Sequence, residues 1–569
     1  VRVEDMSPAV HFVKQAVEHI LRRFPSLEVY TCESGVTPSG KIHLGNFFDM
    51  CIADAIRRAL KDEGFKARHI LVIDSRDPFR RAPEFAPEDF KKEEEAYRGL
   101  PFELVPDPWG CHRNYVEHFV RPLLSSLKEY EIIAEVKYAS EIHRDPTFVK
   151  LVLDIIRRRE EARKVLNEVR RRAGHTRLYP EGWIPYRPLC KGCGRISEDV
   201  EVTELIDDHS IGYKCRVCGY EGVADVRRGE GKPPWRIDWP LRWILFNVNF
   251  EPLGKDHMAS GSSYDTARAL LRELYGREPP VSIFYDFVLL RTKEGKLEKF
   301  SKRKGIGLGV DEWLNYAPPE VLKFMILRRD VKDIEKEALP HWEFDPKQIP
   351  SYVEEFDKLE EAYFNLEAQP PRLRDRIKLT YELVMGSRIP LKRPSRLSYY
   401  TAIIISQRAT SLEEGIEILR KMKILPADAS SYEVEDAMRR LKMAKRWVDD
   451  FAPEYKFIVP EVPEEALTLL DEKDAEALKR LSDGLLKGVI DKNTLREAVW
   501  NIAIEVYGDK RLSKRVYRAA YIALSGKTSG PPLVKLIFEL SNPDFAADRF
   551  RKISERVLKR LHLNRLREG

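Results

Sequence analysis

Two short stretches of this sequence hold residue types suited to polyphosphate chemistry. The first, Thr37-Pro38-Ser39-Gly40-Lys41-Ile42-His43-Leu44-Gly45-Asn46, follows a β-like run. It opens an apolar pattern of helical period through Phe47, Phe48, Ile52, Ile56 and Leu60. Small residues at such a turn let a ligand approach the backbone, and the unpaired N–H groups at a helix start attract an anion. His43 and Asn46, three apart, share one side of the first turn. The second stretch, Lys299-Phe300-Ser301-Lys302-Arg303-Lys304-Gly305, sets two lysines around a serine ahead of a glycine-bearing loop, a cationic strap for phosphates. Either stretch alone also reads as an ordinary turn or a solvated basic loop. The pair, in this order, is what points to a nucleotide.

Two further groups carry metal-ligating types. Cys190-x-x-Cys193 and Cys215-x-x-Cys218 are separated by 21 residues, a little beyond common zinc-ribbon spacing. Four thiolates close a tetrahedral site, so the expected ion is a structural zinc. Asp107, Cys111, His112 and His118 form a second set of zinc-ligating types, although spacing alone favours a polar loop there.

These residues need a frame. Glu28 to Cys32 reads as a strand, and His69 to Asp74 as a fully buried strand of the parallel kind. Between them lies the helix that starts near His43, so the expected class is α/β, with a Rossmann-type core and ligands at the strand carboxyl ends. From about Asp77 to Pro234 the rhythm gives way to Pro-, His- and Cys-rich sequence and a basic helix, Arg157 to Arg172, which reads as an insertion. The α/β pattern returns with Trp239 to Phe250, a helix Ser263 to Tyr275 and a strand Val281 to Leu290. Beyond Gln348, amphipathic repeats predict an all-helical region. The expected organisation is an N-terminal helix (1–25), core (26–100), zinc-binding insertion (101–234), core again (235–347) and helical region (348–569).

Composition excludes several classes. With 43% hydrophobic residues and 36 prolines in 569, the chain is not a disordered or low-complexity protein. No apolar run reaches membrane-spanning length, seven cysteines make no disulfide scaffold, and the first 25 residues lack a secretory apolar stretch; a cytoplasmic protein without a membrane segment is expected. The net charge of +6 proves nothing about nucleic acid. Its distribution says more, because residues 509–569 carry 15 Lys plus Arg against 6 Asp plus Glu, interleaved with aromatics such as Tyr517, Tyr521 and Phe550. Cations suit phosphates and aromatics suit unpaired bases.

On these residues the chain resembles class I aminoacyl-tRNA synthetases. His43-Leu44-Gly45-Asn46 is similar to that class's first signature and Lys299-Phe300-Ser301-Lys302-Arg303 to its second, with Asn46 standing in for a histidine and Arg303 for a serine. Gly254-Lys255-Asp256-His257 resembles a further element in which a carboxylate, here Asp256, holds the ATP ribose. Glutamyl members carry an arginine on the strand before the first signature; counting back from the Pro38-to-Gly40 turn, the matching residue is Glu33. That inversion favours a cationic amino acid and repels glutamate. With Trp235-Arg236-Ile237-Asp238-Trp239-Pro240 and His257-Met258-Ala259-Ser260-Gly261, the whole most resembles the archaeal-type class I lysyl-tRNA synthetases.

That resemblance implies ATP binding by Thr37, Ser39, Gly40, Gly45, Asp256 and Ser301, with His43, Asn46, Lys299 and Lys302 as the catalytic group. It implies an amino-acid pocket of Glu33, Gly35, Thr37, Trp235 and His257, and it raises the Asp107 set to a second zinc site. The implied activity is ligation of L-lysine to the terminal 2′-OH of lysine tRNA through lysyl-adenylate, with Mg2+ accompanying ATP. The helical region would bind the anticodon, the insertion the acceptor stem, and the chain would act as a monomer. Competing readings are a class I enzyme for another amino acid, arginine foremost, a nucleotidyltransferase sharing the first signature, and a zinc-ribbon RNA-binding protein. ATP–pyrophosphate exchange excludes the last.

Overall fold

The computed structural model describes residues 10–568 apart from 293–294, 410, 457–461, 531 and 539–542. Two compact units emerge, one of residues 1–314, 318–348 and 355–392, the other of residues 315–317, 349–354 and 393–569.

The first unit is built on a parallel four-stranded sheet. Strand β1 (Tyr30–Val36) lies between β2 (Ala67–Ile73) and β4 (Val248–Phe250), and β3 (Glu135–Tyr138) forms the edge beside β2. Glu33 is level with Ile70 and Gly35 with Val72. Both central strands are buried almost throughout; β2 ends in the apolar run Ile70-Leu71-Val72-Ile73 expected of a covered parallel strand, whereas β1 carries Thr31, Glu33 and Ser34 into the interior. Helix α2 (Leu44–Asp62) buries Leu44, Phe47, Phe48, Ile52, Ile56 and Leu60, the periodic positions of the sequence. Helix α1 (Phe12–Arg23) precedes the sheet, capped by His11, whose Nδ1 accepts the Val13 N–H at 3.2 Å.

The stretch between β2 and Pro234 does more than insert. Its Glu135–Tyr138 segment completes the parallel sheet as β3. The remainder holds helix α3 (Arg159–Arg172) and a three-stranded antiparallel ribbon, Val200–Leu205, Ser210–Cys215 and Glu221–Asp225. The chain then re-enters the core through helix α4 (Trp235–Phe246), turns at Asn247 in the left-handed region (φ 50°), and runs into β4. Two short parallel strands follow, β5 (Leu253–Gly254) and β6 (Phe284–Tyr285), joined through helix α5 (Ser263–Tyr275).

The second unit is helical among its described residues, from Tyr399–Arg408 through Pro543–Glu568. Leu478, Leu481, Val499, Val516, Ile522 and Phe550 form part of its core. Its helix Ser431–Asp450 starts in a capping box in which Ser430 N–H donates to Glu433 Oε2 (2.9 Å), a device worth about 1 kcal/mol. No described helix is long and apolar enough to cross a membrane.

Candidate active site

A cleft of about 780 Å³ opens where β1 and β2 end, the usual ligand position on a parallel sheet. Thr37, Ser39, His43, Gly45, Asn46, Asp256, Lys299, Ser301 and Lys302 line it. Gly40 belongs to the same assembly, because a Cβ there would lie 2.6 Å from the Lys302 carbonyl oxygen. The two signature stretches, far apart in sequence, thus meet backbone to backbone.

Each cation and imidazole in the cleft is shaped by its surroundings. His43 caps α2, and its N–H donates to Asn46 Oδ1 (3.3 Å), which fixes the asparagine at the helix start. Its imidazole packs edge-on to Phe300, with ring centroids 5.3 Å apart, and a Cβ at Gly45 would meet it at 3.2 Å. Burial, with Lys302, Lys41 and Lys299 nearby, drives the imidazole down to about 3, so it stays neutral. Nδ1 is buried without a partner among the described residues. Lys302 donates to the Thr37 carbonyl at 2.8 Å, and burial lowers its ammonium to about 8 against the opposing pull of Asp49 and Asp74. Lys299 sits with Nζ 3.1 Å from the Phe287 ring centroid, a cation–π contact between two residues that both line the cleft. Asp256 is exposed, and its Oδ1 would be 2.7 Å from any Cβ at Gly254, so glycine makes room for it.

The predicted amino-acid residues divide. Thr37 lines the cleft; Glu33, Gly35, Trp235 and His257 do not. Glu33 is only 2% exposed and belongs to a buried polar group behind it. There Glu251 accepts from Trp239 Nε1 (3.1 Å) and Trp243 Nε1 (2.5 Å). Arg242 donates to Asp74 (2.7 Å) and Asp238 (2.6 Å), and Thr37 Oγ1 donates to Asp74 at 3.4 Å. Trp235 stacks on Trp239 (5.0 Å) and His257 meets the same indole edge-on (5.2 Å), so both join this group through Trp239. Glu33 Oε2 and Arg242 Nε are buried without hydrogen-bond partners among the described residues. Burial and the neighbouring Glu251 hold the Glu33 carboxyl well above its ordinary range, with Arg242 opposing; burial likewise raises Glu251 to about 8.

Three participants escaped the sequence reading. Asp49, one turn beyond Asn46, accepts the Tyr285 hydroxyl at 2.6 Å and is raised by burial to about 7; Tyr285 itself lines the cleft. Glu251 is the second. Arg80 and Arg81, consecutive and exposed at the cleft rim, are the third, and their pairing was the one available signal.

Both metal-type sets converge. The ligand atoms of Cys190, Cys193, Cys215 and Cys218 lie within 4.8 Å of one another, as do those of Asp107, Cys111, His112 and His118. Cys190 Sγ is 3.6 Å from Cys218 Sγ, and Cys193 Sγ 3.7 Å from Cys215 Sγ. In the second set Nδ1 of His112 and of His118 approach Cys111 Sγ at 3.1 and 3.3 Å, while Asp107 Oδ1 is 3.0 Å from His118 Nδ1. Sulfur, imidazole and carboxylate in such clusters suit a zinc-sized ion.

Comparison with known proteins agrees with this architecture. A family model described as tRNA synthetases class I (K) matches residues 10–387. Curated relatives include the lysine–tRNA ligases of Methanocaldococcus jannaschii (32% identical, covering 92% of this chain and 96% of that protein) and Pyrococcus horikoshii (33%, 95% and 99%). That of Archaeoglobus fulgidus is 34% identical over 92% of this chain and 96% of its own. By its sequence, over nearly its whole length, this chain belongs to the class I (K) family of tRNA synthetases.

Proposed function

We propose that this chain is a lysine–tRNA ligase that makes lysyl-adenylate from L-lysine and ATP and passes the lysyl group to the terminal 2′-OH of lysine tRNA. The observation that carries the lysine assignment is the buried Glu33 oxygen without a hydrogen-bond partner among the described residues, in a carboxyl pair with Glu251 that one arginine, Arg242, only partly offsets. Relatives bearing the lysine–tRNA ligase name cover 92–95% of the chain.

In the first step a lysine carboxylate oxygen attacks the α-phosphorus, the bond from that phosphorus to the bridging oxygen breaks, and pyrophosphate leaves. Lys299, Lys302 and the rim arginines take up the charge that develops on the phosphates. Neutral His43 serves as a hydrogen-bond donor and not as a base, with Asn46 beside it. Asp256 holds the ribose hydroxyls. In the second step the 2′-OH attacks the lysyl carbonyl, the acyl–phosphate bond breaks, and AMP departs with the proton. No residue forms a covalent intermediate, so positioning and charge do the catalysis.

Two carboxyls compete for the lysine ammonium, Glu33 on β1 and Asp49 on α2. Glu33 is favoured because its Oε2 has no hydrogen-bond partner among the described residues, whereas Asp49 is already engaged by Tyr285. Mg2+ is expected with ATP, held chiefly by the phosphates and neutralising them. Cys190, Cys193, Cys215 and Cys218 would hold one zinc and Asp107, Cys111, His112 and His118 another, each fastening local structure and supplying no chemistry to the reaction. The helical unit, with its basic last third, would grip the anticodon arm.

Aminoacylation tests the proposal. The purified chain should charge lysine tRNA with lysine and not with arginine, and His43→Ala should lower the rate about 10²- to 10³-fold. An enzyme that charges arginine instead, or that runs no ATP–pyrophosphate exchange in the presence of tRNA, would contradict it.

A further inference from the structure

A second cavity, about 660 Å³, shares a wall with the active-site cleft. The wall is β5, β6 and the turn after β5. Consecutive residues along it face opposite ways: Tyr285 and Asp256 line the cleft, Phe284 and His257 the second cavity. Nothing in the proposed reaction uses this second space.

Its lining is cationic. Arg23, Arg172, Arg268 and Arg272 line it against only two carboxylates, Asp265 and Glu335. Arg268 and Arg272, four apart, lie on one face of α5. Arg172 reaches Asp265 at 3.2 Å and Arg268 reaches the same oxygen only at 3.5 Å, so one carboxylate is divided between two guanidinium groups. Arg23 meets Glu335 at 3.2 Å. The side chains of Arg172, Arg268 and Arg272 nevertheless remain 59%, 39% and 49% exposed. Ser282, 7% exposed, also lines the cavity with a buried hydroxyl that has no hydrogen-bond partner among the described residues, and the same holds for Arg268 Nε. Arg272 is paired with Glu278 at 3.0 Å, and Arg23 also donates to the Pro279 and Pro280 carbonyls at 3.3 Å each, so four arginines meet three carboxylates and the surplus charge lies with Arg172 and Arg268, which share Asp265.

The cationic lining does not stop at the rim. Gly261, with φ +73°, has no Cβ, and one placed there would lie 2.5 Å from Ala173 Cβ; the glycine lets the end of α3 close onto the start of α5. Arg171 and Arg172 in the last turn of α3, then His175 and Arg177, are exposed, and Arg170 Nε binds the Arg177 carbonyl at 2.7 Å. A track of cations thus leads from the tip of α3 into the cavity. A track with a pocket at its end fits a chain of phosphates better than a single anion.

We propose that this arginine cavity and the α3 tip bind phosphates of the single-stranded 3′ end of the tRNA, guiding its terminal ribose round His257 to the cleft. The assignment rests on the tRNA-ligase reading above. Guanidinium forks grip phosphodiester oxygens in pairs, and the Ser282 hydroxyl supplies a further donor.

The test uses the full chain with Arg268→Gln and Arg272→Gln together, both partly exposed side chains, with melting temperature measured alongside because Arg268 also stacks over Tyr264 at 5.0 Å. KM for lysine tRNA should rise about tenfold and the salt slope of tRNA affinity should fall by about two. KM for lysine and for ATP, at saturating tRNA, should stay within about twofold, since neither guanidinium lines the cleft. A tRNA lacking its last four nucleotides should bind wild type and variant alike. Replacing the same two residues by Lys keeps the charge but loses the fork, and should give a smaller rise. An unchanged tRNA KM in an active double variant would overturn the site alone. So would inorganic phosphate raising the melting temperature of the wild type but not of the variant while tRNA KM stays equal, which would mark a free-anion site. A wild-type chain that charges no lysine tRNA would instead overturn the reading beneath it.

Discussion

Lys302 is charged below about pH 8 and neutral above it, because burial outweighs the help of Asp49 and Asp74. Its ammonium is needed on the phosphates, so kcat/KM for ATP should fall as pH rises through about 8, approaching tenfold per unit. Lys302→Arg, whose guanidinium stays charged, should flatten that limb even at lower overall activity; an alkaline limb unchanged in the variant would place the titration elsewhere. His43, neutral above about pH 3, should contribute no acid limb near neutrality. The carboxyl pair titrates in the opposite sense. Glu33 is raised well above its ordinary range and Glu251 to about 8, so at pH 7 the pair retains protons. A lysine ammonium favours the ionised form and expels a proton. Calorimetry at pH 7 in buffers of different ionisation enthalpy should therefore show proton release on lysine binding, and lysine KM should fall as pH rises toward 8. Equal heats in every buffer would mean that the ammonium does not meet this pair. The residues behind this argument were unequally legible. Glu33 could be found by counting from a turn, whereas Glu251 and Asp49 sit in apolar contexts without a motif, and only burial makes them matter.

At the scale of elements, the strap carrying Lys302 and the loop carrying Gly40 touch through backbone. Gly40→Ala would push them apart by a sizeable fraction of an ångström, and misplacement on that scale costs about 10² in rate. Steady-state kinetics should show kcat falling while melting changes little; an unaffected kcat would mean that the strap is not held in its working position by this contact. If Cys190, Cys193, Cys215 and Cys218 hold zinc as proposed, the ion fastens the segment before the antiparallel ribbon to the ribbon's Cys215–Cys218 turn. Metal analysis should find about two zinc ions per chain. Cys215→Ser or chelation should raise hydrogen exchange in Ser210–Cys215 and Glu221–Asp225 while leaving β1 and β2 protected. Zinc-free protein with full ribbon protection would contradict that role. The strand–loop–helix at the cleft and helix Ser263–Tyr275 were readable because their apolar periods are clean. Strand Glu135–Tyr138 was not: it has four residues alternating charged and apolar, a short charged sheet edge, and such edges carry little strand signal. The long strand read over Val281 to Leu290 divides into Phe284–Tyr285, which pairs with β5, and Val288–Arg291, which pairs with Trp342–Phe344, with the cleft-lining Asp286 and Phe287 between them.

The molecule as a whole is nearly balanced in charge, 98 cations against 92 anions, so its affinity for nucleic acid rests on where the charges sit. Arg511 and Lys514 are exposed at the start of the basic last third of the helical unit, and Lys510 Nζ lies 3.8 Å from the Trp500 ring centroid close by. Replacing Arg511 and Lys514 by Ala should raise KM for tRNA several-fold, lower its salt slope by about two and leave lysine KM unchanged; no change in tRNA KM would remove these residues from the interface. The broad division into an α/β part and a helical part was legible from periodicity. Its boundary was not, since residues 355–392 are helical yet cluster with the first unit, and helical period alone does not say which core a helix serves. The measurement that tests the central claim most directly is charging of lysine tRNA with each of the twenty amino acids, by wild type and by Glu33→Gln side by side. The account predicts that wild type charges lysine alone and that Glu33→Gln loses kcat/KM for lysine by at least about 10²-fold, while tRNA affinity is kept. Full lysine activity in Glu33→Gln, with loss in Asp49→Asn, would contradict the assignment to Glu33 and move the ammonium to the Asp49–Tyr285 pair.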